Sequence, residues 1–261
     1  MTPVYCEGGK TGGIILEGVV KEYVPPLSLS AILRLRFKRN PIPAVRGVDL
    51  NVAPGTVHAL VGPNGAGKTT ILKLVAALLQ PTRGRVNVLG MDTVLEAEKV
   101  RAVVGYCITE TRSFYLRLSG RENLRFFAAL HGLTGKEMER RTDQVLSLLE
   151  LSDVARRQVL SYSEGMKQRL ALARAILHEP RVLLLDEVGR GLDPRLREKT
   201  YRILRDELVA KKGMTVLMAS HNLDEVAALA DRVSVMDHGL VLRTGTYSET
   251  GDAIRGVFGG E

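Results

Sequence analysis

Residues 62–70 read Gly-Pro-Asn-Gly-Ala-Gly-Lys-Thr-Thr, and this stretch decides which fold the chain can adopt. It fits the phosphate-binding pattern G-x-x-x-x-G-K-[ST], with Gly62, Gly67, Lys68 and Thr69 at the specified positions. Glycines let the backbone curve so that its N–H groups converge on an anion, and the following helix adds its positive dipole end. Lys68 can reach the outer phosphates of a ligand, and the Thr69 hydroxyl can ligate Mg²⁺. The predicted phosphate-binding residues are Gly62, Pro63, Asn64, Gly65, Ala66, Gly67, Lys68, Thr69 and Thr70.

The sequence on either side of this loop predicts a strand before it and a helix after it. Val57–Val61 is a short apolar run, and Ile71–Leu79 is apolar over a length that suits a buried helix. Strand, glycine-rich loop and helix in this order are the context that a phosphate-binding loop requires. The alternative is a structural glycine turn that binds nothing.

Length and composition limit the class of protein. A chain of 261 residues with 45% hydrophobic residues predicts one large α/β domain, or one domain with a subdomain. No uncharged apolar run of about 18 residues occurs, and the N-terminus lacks a signal-peptide core, so we expect an intracellular protein without a membrane span. Cys6 and Cys107 form no metal or redox motif. The net charge of +8 suits nucleic acid or an acidic membrane surface, but little else favours a nucleic-acid partner.

Strands and helices alternate along most of the chain, which predicts a mostly parallel sheet. The helical stretch 111–177 interrupts this alternation and predicts an inserted subdomain between two core segments, 14–110 and 178–245. The predicted strands are Gly13–Val20, Ala44–Val52, Val57–Val61, Arg85–Leu89, Ala102–Tyr106, Val182–Asp186, Met214–Ser220, Val233–Met236 and Leu240–Thr244. The predicted helices are Ile71–Leu79, Arg121–His131, Gly135–Leu149, Ser163–Leu177, Pro194–Lys211 and Asn222–Leu229.

Two carboxylates follow an apolar run at Val182-Leu183-Leu184-Leu185-Asp186-Glu187. A buried parallel strand reads as a continuous apolar run, and functional groups in such sheets lie at its carboxyl end. Asp186 can there hold the Mg²⁺ shell, and Glu187 can polarise an attacking water. The alternative is an ordinary strand that ends in an aspartate cap.

Three further polar groups stand at the starts of helices or the ends of strands. Ser163 can cap the helix that it opens, and the first-turn N–H groups of that helix form a second anion site. Asp193 precedes Pro194 at another helix start, and His221 follows the apolar strand Met214–Ser220. Taken singly, a capped helix or a strand-end histidine is more often structural than functional.

The order of these motifs resembles the ATP-binding cassette family of ATPases. The resemblance covers about residues 14–245 and rests on the phosphate loop, the Ser-x-Gly helix, the Asp-Glu strand, the Leu-Asp loop and the strand that ends in His221. It implies a P-loop fold with a mostly parallel sheet, an antiparallel β subdomain and an inserted helical subdomain. It also implies ATP and Mg²⁺ as cofactors and a head-to-tail dimer that closes on two ATP molecules.

The resemblance assigns roles residue by residue. Lys68, Glu187 and His221 would be catalytic, with His221 touching the γ-phosphate and Glu187 orienting the water. Ser163 and Gly165 would act on the nucleotide that the second subunit binds, and Asp193, which also counts among the nucleotide-binding residues, would sit at the dimer seam. The remaining roles are adenine stacking by Tyr23 and Mg²⁺ ligation by Thr69, Asp186 and Glu110.

The chain departs from the family pattern at three places. Tyr162, Glu164 and Met166 replace residues of the usual Leu-Ser-Gly-Gly-Gln signature, in a form that resembles exporter-type cassettes. Val188-Gly189 stands where Pro-Thr is usual. The glutamine of the expected glutamine loop is missing, and either Thr109 or Glu110 takes its place; reach favours Glu110.

Two stretches are candidates for contact with a membrane or a membrane partner. The insertion 25–43 contains Ser28–Arg39, which mixes apolar residues with cations and either contacts anionic headgroups or is a solvated excursion between strands. Phe114, Tyr115 and Leu116 either form a docking groove for a membrane subunit or belong to the subdomain core.

These observations predict the ATP-hydrolysing subunit of a membrane transporter, in the exporter class by resemblance. Its expected partners are a separate transmembrane permease subunit and, on ATP binding, a second copy of the chain or a second cassette subunit. The expected location is the cytoplasmic face of the cell membrane. The alternatives are a cassette protein that serves as an assembly or regulatory module, and a binding-only cassette without hydrolysis.

Overall fold

The computed structural model describes residues 13–24, 40–108, 114–189 and 191–259. Their strands form a six-stranded sheet in the order β10-β9-β3-β8-β7-β6 and a four-stranded sheet in the order β2-β1-β4-β5. In chain order the strands are β1 (Ile14–Tyr23), β2 (Ile42–Val52), β3 (Val57–Val61), β4 (Arg83–Val88), β5 (Met91–Asp92), β6 (Val104–Ile108), β7 (Val182–Asp186), β8 (Thr215–Ser220), β9 (Arg232–Asp237) and β10 (Leu240–Gly245).

The six-stranded sheet is parallel except at its β10 edge, and the four-stranded sheet is antiparallel throughout. This confirms the predicted mostly parallel sheet with an antiparallel β subdomain. Pairing within the parallel sheet places Val61 opposite Ser220 and Asp186 opposite Ala219. The carboxyl ends of β3, β7 and β8 therefore lie side by side at one edge, where ligands bind in sheets of this kind.

Both faces of the parallel sheet are buried, which explains the continuous apolar runs of β3 and β7. Neighbouring side chains of β7 point to opposite faces: Leu183 and Leu185 join one apolar cluster, whereas Val182 and Leu184 join the other. The first cluster includes the helical subdomain, and the second includes the antiparallel sheet and the helix after the phosphate loop.

Eight α-helices lie within the described residues. They are α1 (Lys68–Val75), α2 (Ala97–Val103), α3 (Gly120–Leu130), α4 (Gly135–Leu148), α5 (Glu164–Ile176), α6 (Pro194–Arg202), α7 (Leu223–Leu229) and α8 (Gly251–Phe258). A π-helical segment, Ile203–Lys211, continues α6, and short 3₁₀ turns occupy Ser152–Val154 and Val159–Ser161. Among the described helices, none combines the length and apolar character needed to span a bilayer.

Three helices, α3, α4 and α5, lie between β6 and β7 and form a helical insertion. A capping box between Ser119 and Glu122 starts α3, since each residue's side chain bonds to the other's backbone N–H. The buried Asn123 fixes the preceding turn, accepting from the Tyr115 N–H at 2.9 Å and donating to the Tyr115 carbonyl oxygen at 3.0 Å. The entrance to the insertion is thus held by specific polar contacts.

Several helix boundaries differ from the expectation. The helix after the phosphate loop ends at Val75 and not at Leu79, because Ala77 adopts a left-handed conformation with φ of 52°. The predicted helix Pro194–Lys211 changes from α to π geometry at Ile203. The short helices α2 and α8 were not predicted, since seven and eight residues give too few turns for a clear apolar period.

Candidate functional site

The phosphate loop joins β3 to α1 in a conformation that requires its glycines. Gly65 and Gly67 have φ values of 83° and 100°, which side-chain-bearing residues rarely adopt. A Cβ atom on Gly62 would lie 2.2 Å from the carbonyl oxygen of Met236, and one on Gly67 would lie 2.5 Å from that of Ala44. The loop is therefore pressed against β9 and β2, and only glycine fits at these two positions.

Lys68 is buried at the start of α1 and holds its ammonium group under the loop. Nζ donates to the carbonyl oxygens of Gly62 at 2.6 Å and Pro63 at 2.9 Å. Burial lowers the pKa of Lys68, whereas the negative charges of Glu187 and Asp186 act in the opposite direction. These two carboxylates favour the charged ammonium form that phosphate binding needs.

A cavity of about 270 Å³ opens above the loop. It brings the loop's N–H groups, the start of α1 and the Asp-Glu pair of β7 to one place. Its lining residues are Ala44, Asn64, Gly65, Ala66, Gly67, Lys68, Thr69, Thr70, Asp186 and Glu187.

Two oxygen ligands suited to Mg²⁺ face each other at the edge of this cavity. Thr69 Oγ1 lies 3.3 Å from Asp186 Oδ1, and the Tyr106 hydroxyl lies 3.5 Å from Asp186 Oδ2. Burial raises the pKa of Asp186 and the Thr69 hydrogen bond lowers it. Hydroxyl and carboxylate oxygens fit Mg²⁺, which commonly takes one or two carboxylates and fills its other positions with phosphate oxygens and water. Three or more His, Cys, Asp or Glu side chains do not gather into a metal site anywhere in the described part of the chain.

Glu187 and His221 form a pair beside the same cavity. His221 Nδ1 lies 2.7 Å from Glu187 Oε1, and because a carboxylate only accepts, Nδ1 carries the proton in this contact. Glu187 adopts a left-handed backbone with φ of 55°, and its N–H donates to the Ala219 carbonyl oxygen at 3.0 Å. The sharp turn after β7 thus directs the Glu187 carboxylate toward the end of β8.

Ser163 and Asp193 both cap helices and are exposed. Ser163 Oγ accepts from the Met166 N–H at 3.3 Å, and Asp193 Oδ1 accepts from two N–H groups of α6 at 3.1 Å. Gly165 packs against that helix, since a Cβ there would lie 3.4 Å from Leu196. Ser163, Gly165 and Asp193 do not line the cavity above the loop, so one chain does not bring all predicted ligand-binding residues together.

Tyr23 stands at the end of β1, with 39% of its surface exposed, and pairs with Ile42 of β2. This register places it close to Ala44, which lines the cavity, although Tyr23 itself does not. Lys21 Nζ lies 5.6 Å from the centre of the Tyr23 ring.

The two alternatives for the missing glutamine, Thr109 and Glu110, both lie outside the described residues.

Two residues of the site are not predicted from the sequence. Ala44 belongs to no motif, yet its carbonyl oxygen leaves no room for a side chain at position 67. Tyr106 contacts Asp186 from the neighbouring strand β6. The sequence could have indicated Tyr106, because a polar side chain near the carboxyl end of a predicted parallel strand lies at the functional edge of the sheet. It could not have indicated Ala44, because Ala44 contributes its backbone carbonyl group and not its side chain.

The chain is similar to ATP-binding proteins of transporters over most of its length. A family model described as ABC transporter matches residues 45–189. The daunorubicin resistance ATP-binding protein DrrA3 of Streptomyces coeruleorubidus is 43% identical over 206 residues, which cover 79% of this chain and 64% of that protein. The ABC transporter ATP-binding protein NatA of Bacillus subtilis is 35% identical over 214 residues, which cover 81% of this chain and 85% of NatA.

Solved structures of the same kind share the fold. The ATP-binding cassette MJ0796, in a dimeric post-hydrolysis state bound to ADP and Pi, superposes with a TM-score of 0.77 at 26% identity, over 90% of this chain and 98% of that one. The cbiO1 protein of Clostridium perfringens, part of the ABC transporter complex cbiONQ, gives 0.76 at 25% identity, over 93% and 92%. Because the family model matches more than half of the chain and the P-loop fold is the same, the chain belongs to the ABC transporter family.

Proposed function

We propose that this chain binds and hydrolyses ATP and thereby powers transport through a separate transmembrane permease subunit. The observation that carries the proposal is the single sheet edge on which the phosphate loop, Asp186 and the Glu187–His221 pair meet. A soluble assembly or regulatory module remains the second candidate, and no described contact favours it.

The loop binds the phosphates of ATP through its N–H groups and Lys68. Thr69 and Asp186 would hold Mg²⁺, which would neutralise phosphate charge. Tyr23 is the proposed stacking partner of the adenine, and its exposed ring near the cavity supports that role. Glu110 is the proposed third residue of the metal site.

Glu187 orients the water that attacks the γ-phosphorus. That attack forms the new phosphorus–oxygen bond as the bond to the β-γ bridging oxygen breaks, and the water's proton leaves toward the Glu187 carboxylate. His221, oriented by its hydrogen bond to Glu187, presents its other ring nitrogen to the γ-phosphate. Positioning and charge neutralisation supply most of the rate.

A second subunit completes each site. Ser163 and Asp193 are exposed and lie away from their own chain's cavity, which supports a head-to-tail dimer in which the Ser163 helix start faces the partner's nucleotide and Asp193 lies at the dimer seam. Gly165, buried in the first turn of the same helix, lies beside Ser163. The dimeric state named for the related cassette MJ0796 supports the pairing of two cassettes. Whether two copies of this chain or two different cassettes pair is an outcome of the mixing experiment below.

The drug-resistance relatives favour export over import, and we place the chain on the cytoplasmic face of the membrane, beside its permease. The partner selects the cargo, so this chain carries no prediction of the transported substrate.

The experiment that tests the proposed hydrolysis compares Glu187→Gln with Glu98→Gln, which changes an exposed glutamate on α2. We expect Glu187→Gln to bind ATP with an affinity close to the parent's and to lose at least about 100-fold in turnover, because the carboxylate acts only on the attacking water. Glu98→Gln should match the parent in both measurements. Parental turnover in Glu187→Gln would overturn the proposed catalytic assignment.

A further inference from the structure

Glu225 carries a buried carboxyl group in the first turn of α7, four residues after His221. Only 2% of its surface is exposed. The Ser220 hydroxyl, buried at the end of β8 directly before His221, donates to Glu225 Oε2 at 2.5 Å. One carboxyl oxygen is therefore tied to the strand end that presents the catalytic histidine.

The other carboxyl oxygen faces the turn that carries Glu187. A Cβ atom on Gly189 would lie 2.8 Å from Glu225 Oε1 and 2.7 Å from the hydroxyl of Tyr201. Glu225 and Tyr201 thus occupy the space where residue 189 would have a side chain, two residues after Glu187. Tyr201 belongs to α6, the helix that begins at the Asp193 cap.

The same carboxyl group therefore touches three segments of the proposed active site: the end of β8, the turn after β7 and helix α6. A cavity of about 260 Å³ joins them, and Glu187, Gly189, Ser220, His221 and Glu225 are among its lining residues. Glu225 does not itself contact the space above the phosphate loop.

The arrangement is costly for stability. Burial raises the pKa of Glu225, and the hydrogen bond that Ser220 donates to Oε2 offsets only part of the effect. Among the described residues, neither Glu225 Oε1 nor the Tyr201 hydroxyl makes a hydrogen bond of good geometry. Buried polar groups of this kind are uncommon and are typical of functional sites.

We propose that Glu225 is a positioning residue for ATP hydrolysis, which holds the Glu187 turn and the His221 strand end in register with each other. The inference rests on the proposed roles of Glu187 and His221. Its physical basis is that the Glu187–His221 contact joins two separate loops, so their relative placement needs a common anchor beneath them. A displacement of about 1 Å at such a pair can lower turnover on the order of 100-fold.

The test compares Glu225→Ala and Glu225→Gln with Asp224→Asn, which alters the exposed carboxylate of the same helical turn. Steady-state ATPase rates give kcat and KM, and thermal unfolding is measured for each variant. We expect Glu225→Ala to lose about 10-fold to 100-fold in kcat with KM within about 3-fold of the parent's. Glu225→Gln should recover part of the loss, because its amide oxygen can still accept from Ser220. Asp224→Asn should match the parent.

A merely structural role would lower the unfolding temperature and leave kcat of the folded protein within about 2-fold of the parent's, and that result overturns the inference. If Glu225→Ala does not fold, Glu225→Gln and Tyr201→Phe decide by the same criterion. Glu187→Gln, measured in parallel, separates the two proposals. Parental turnover in Glu187→Gln refutes the proposed catalytic role of Glu187, whereas lost turnover there with parental kcat in the Glu225 variants refutes only the positioning role.

Discussion

Glu187 shows at the scale of one residue how this site is built. Its left-handed backbone conformation costs on the order of 1 kcal/mol for a residue other than glycine. The hydrogen bond from the Glu187 N–H to the Ala219 carbonyl oxygen and the side-chain contact with His221 hold Glu187 in that conformation. The chain thus retains local strain where a carboxylate must leave a buried strand and reach a neighbouring loop.

Removal of the Lys68 ammonium should abolish tight ATP binding. Lys68→Ala loses charge-assisted contacts between a buried ammonium group and phosphate, and these contacts are worth roughly 3 kcal/mol or more. We expect ATP affinity, measured by equilibrium binding, to fall by at least about 100-fold. Lys136→Ala removes an exposed lysine on α4 and should bind as the parent does. Near-parental affinity in Lys68→Ala would refute the assignment of this lysine.

Glu110 is predicted to replace the missing glutamine, and because it lies outside the described residues this stays a prediction. A glutamate offers the reach of glutamine with two oxygens, whereas Thr109 is two bonds shorter. Its charge would repel Asp186 and Glu187 until Mg²⁺ relieves the repulsion. We therefore expect Glu110→Gln and Glu110→Ala to need more Mg²⁺ for half-maximal ATPase activity. A shift seen only in Thr109→Ala would reverse the assignment.

The site residues that the sequence predicts are those defined by their neighbours in the chain. Residues 62–70 and the Asp186-Glu187 pair carry patterns whose spacing reflects the backbone of one loop or one strand end. Tyr106 and Ala44 reach the site only through sheet pairing, which a single sequence does not specify. The sequence does not predict the anchoring role of Glu225 for the same reason, because the residues that Glu225 contacts lie on three different elements.

At the scale of elements, the sequence predicts the strands and the helical insertion better than it predicts helix ends. Apolar runs such as Val182–Leu185 follow from burial on both faces, and the structure confirms the parallel sheet they imply. The end of α1 at Val75 depends on a left-handed alanine, for which the sequence has no glycine to serve as a signal. The π geometry of Ile203–Lys211 likewise has no sequence signature.

The docking stretch divides into two kinds of residue. Phe114 is buried and packs edge-on against Phe127, and the Arg174 guanidinium lies 4.9 Å from the Phe114 ring centre. Phe114 therefore belongs to the core of the helical subdomain and not to a docking groove. Tyr115 and Leu116 are exposed by 51% and 39%, and the Tyr115 ring lies 4.9 Å from that of Phe126. Only the latter two residues remain candidates for contact with a permease.

Adjacent substitutions should therefore give opposite results. Tyr115→Asp places a charge on an exposed apolar surface and should uncouple transport, while ATPase activity of the isolated subunit and its unfolding temperature stay near the parent's. Phe114→Ala removes a buried ring and should cost about 3 kcal/mol of unfolding free energy. Transport assays in membranes containing the permease, with thermal unfolding of each variant, decide. A large stability loss in Tyr115→Asp would assign that residue to the core as well.

At the scale of the whole molecule, the separation of Ser163 and Asp193 from their own chain's cavity is the central fact. If each active site uses the phosphate loop of one subunit and Ser163 of the other, ATPase activity should fall steeply on dilution, because dissociation dismantles both sites at once. A monomer that hydrolyses ATP at the full rate at every dilution would exclude a shared site.

A mixing experiment tests the shared site directly. Lys68→Ala and Ser163→Arg should each be inactive alone, since every site in either homodimer lacks one half. In a heterodimer, the intact loop of one subunit meets the intact Ser163 of the other, and the second site carries both defects. Random pairing should restore up to about a quarter of the parent's intact sites, because half of the dimers are heterodimers and each heterodimer has one intact site out of two.

The matched control is the double variant Lys68→Ala/Ser163→Arg mixed with either single variant, where no combination assembles a complete site. Recovery in the first mixture and none in the second requires the head-to-tail arrangement. No recovery in either mixture, with each variant folded and dimeric, would instead place the complete site within one chain or require a different cassette as partner. Co-purification with candidate cassette subunits would distinguish these two explanations.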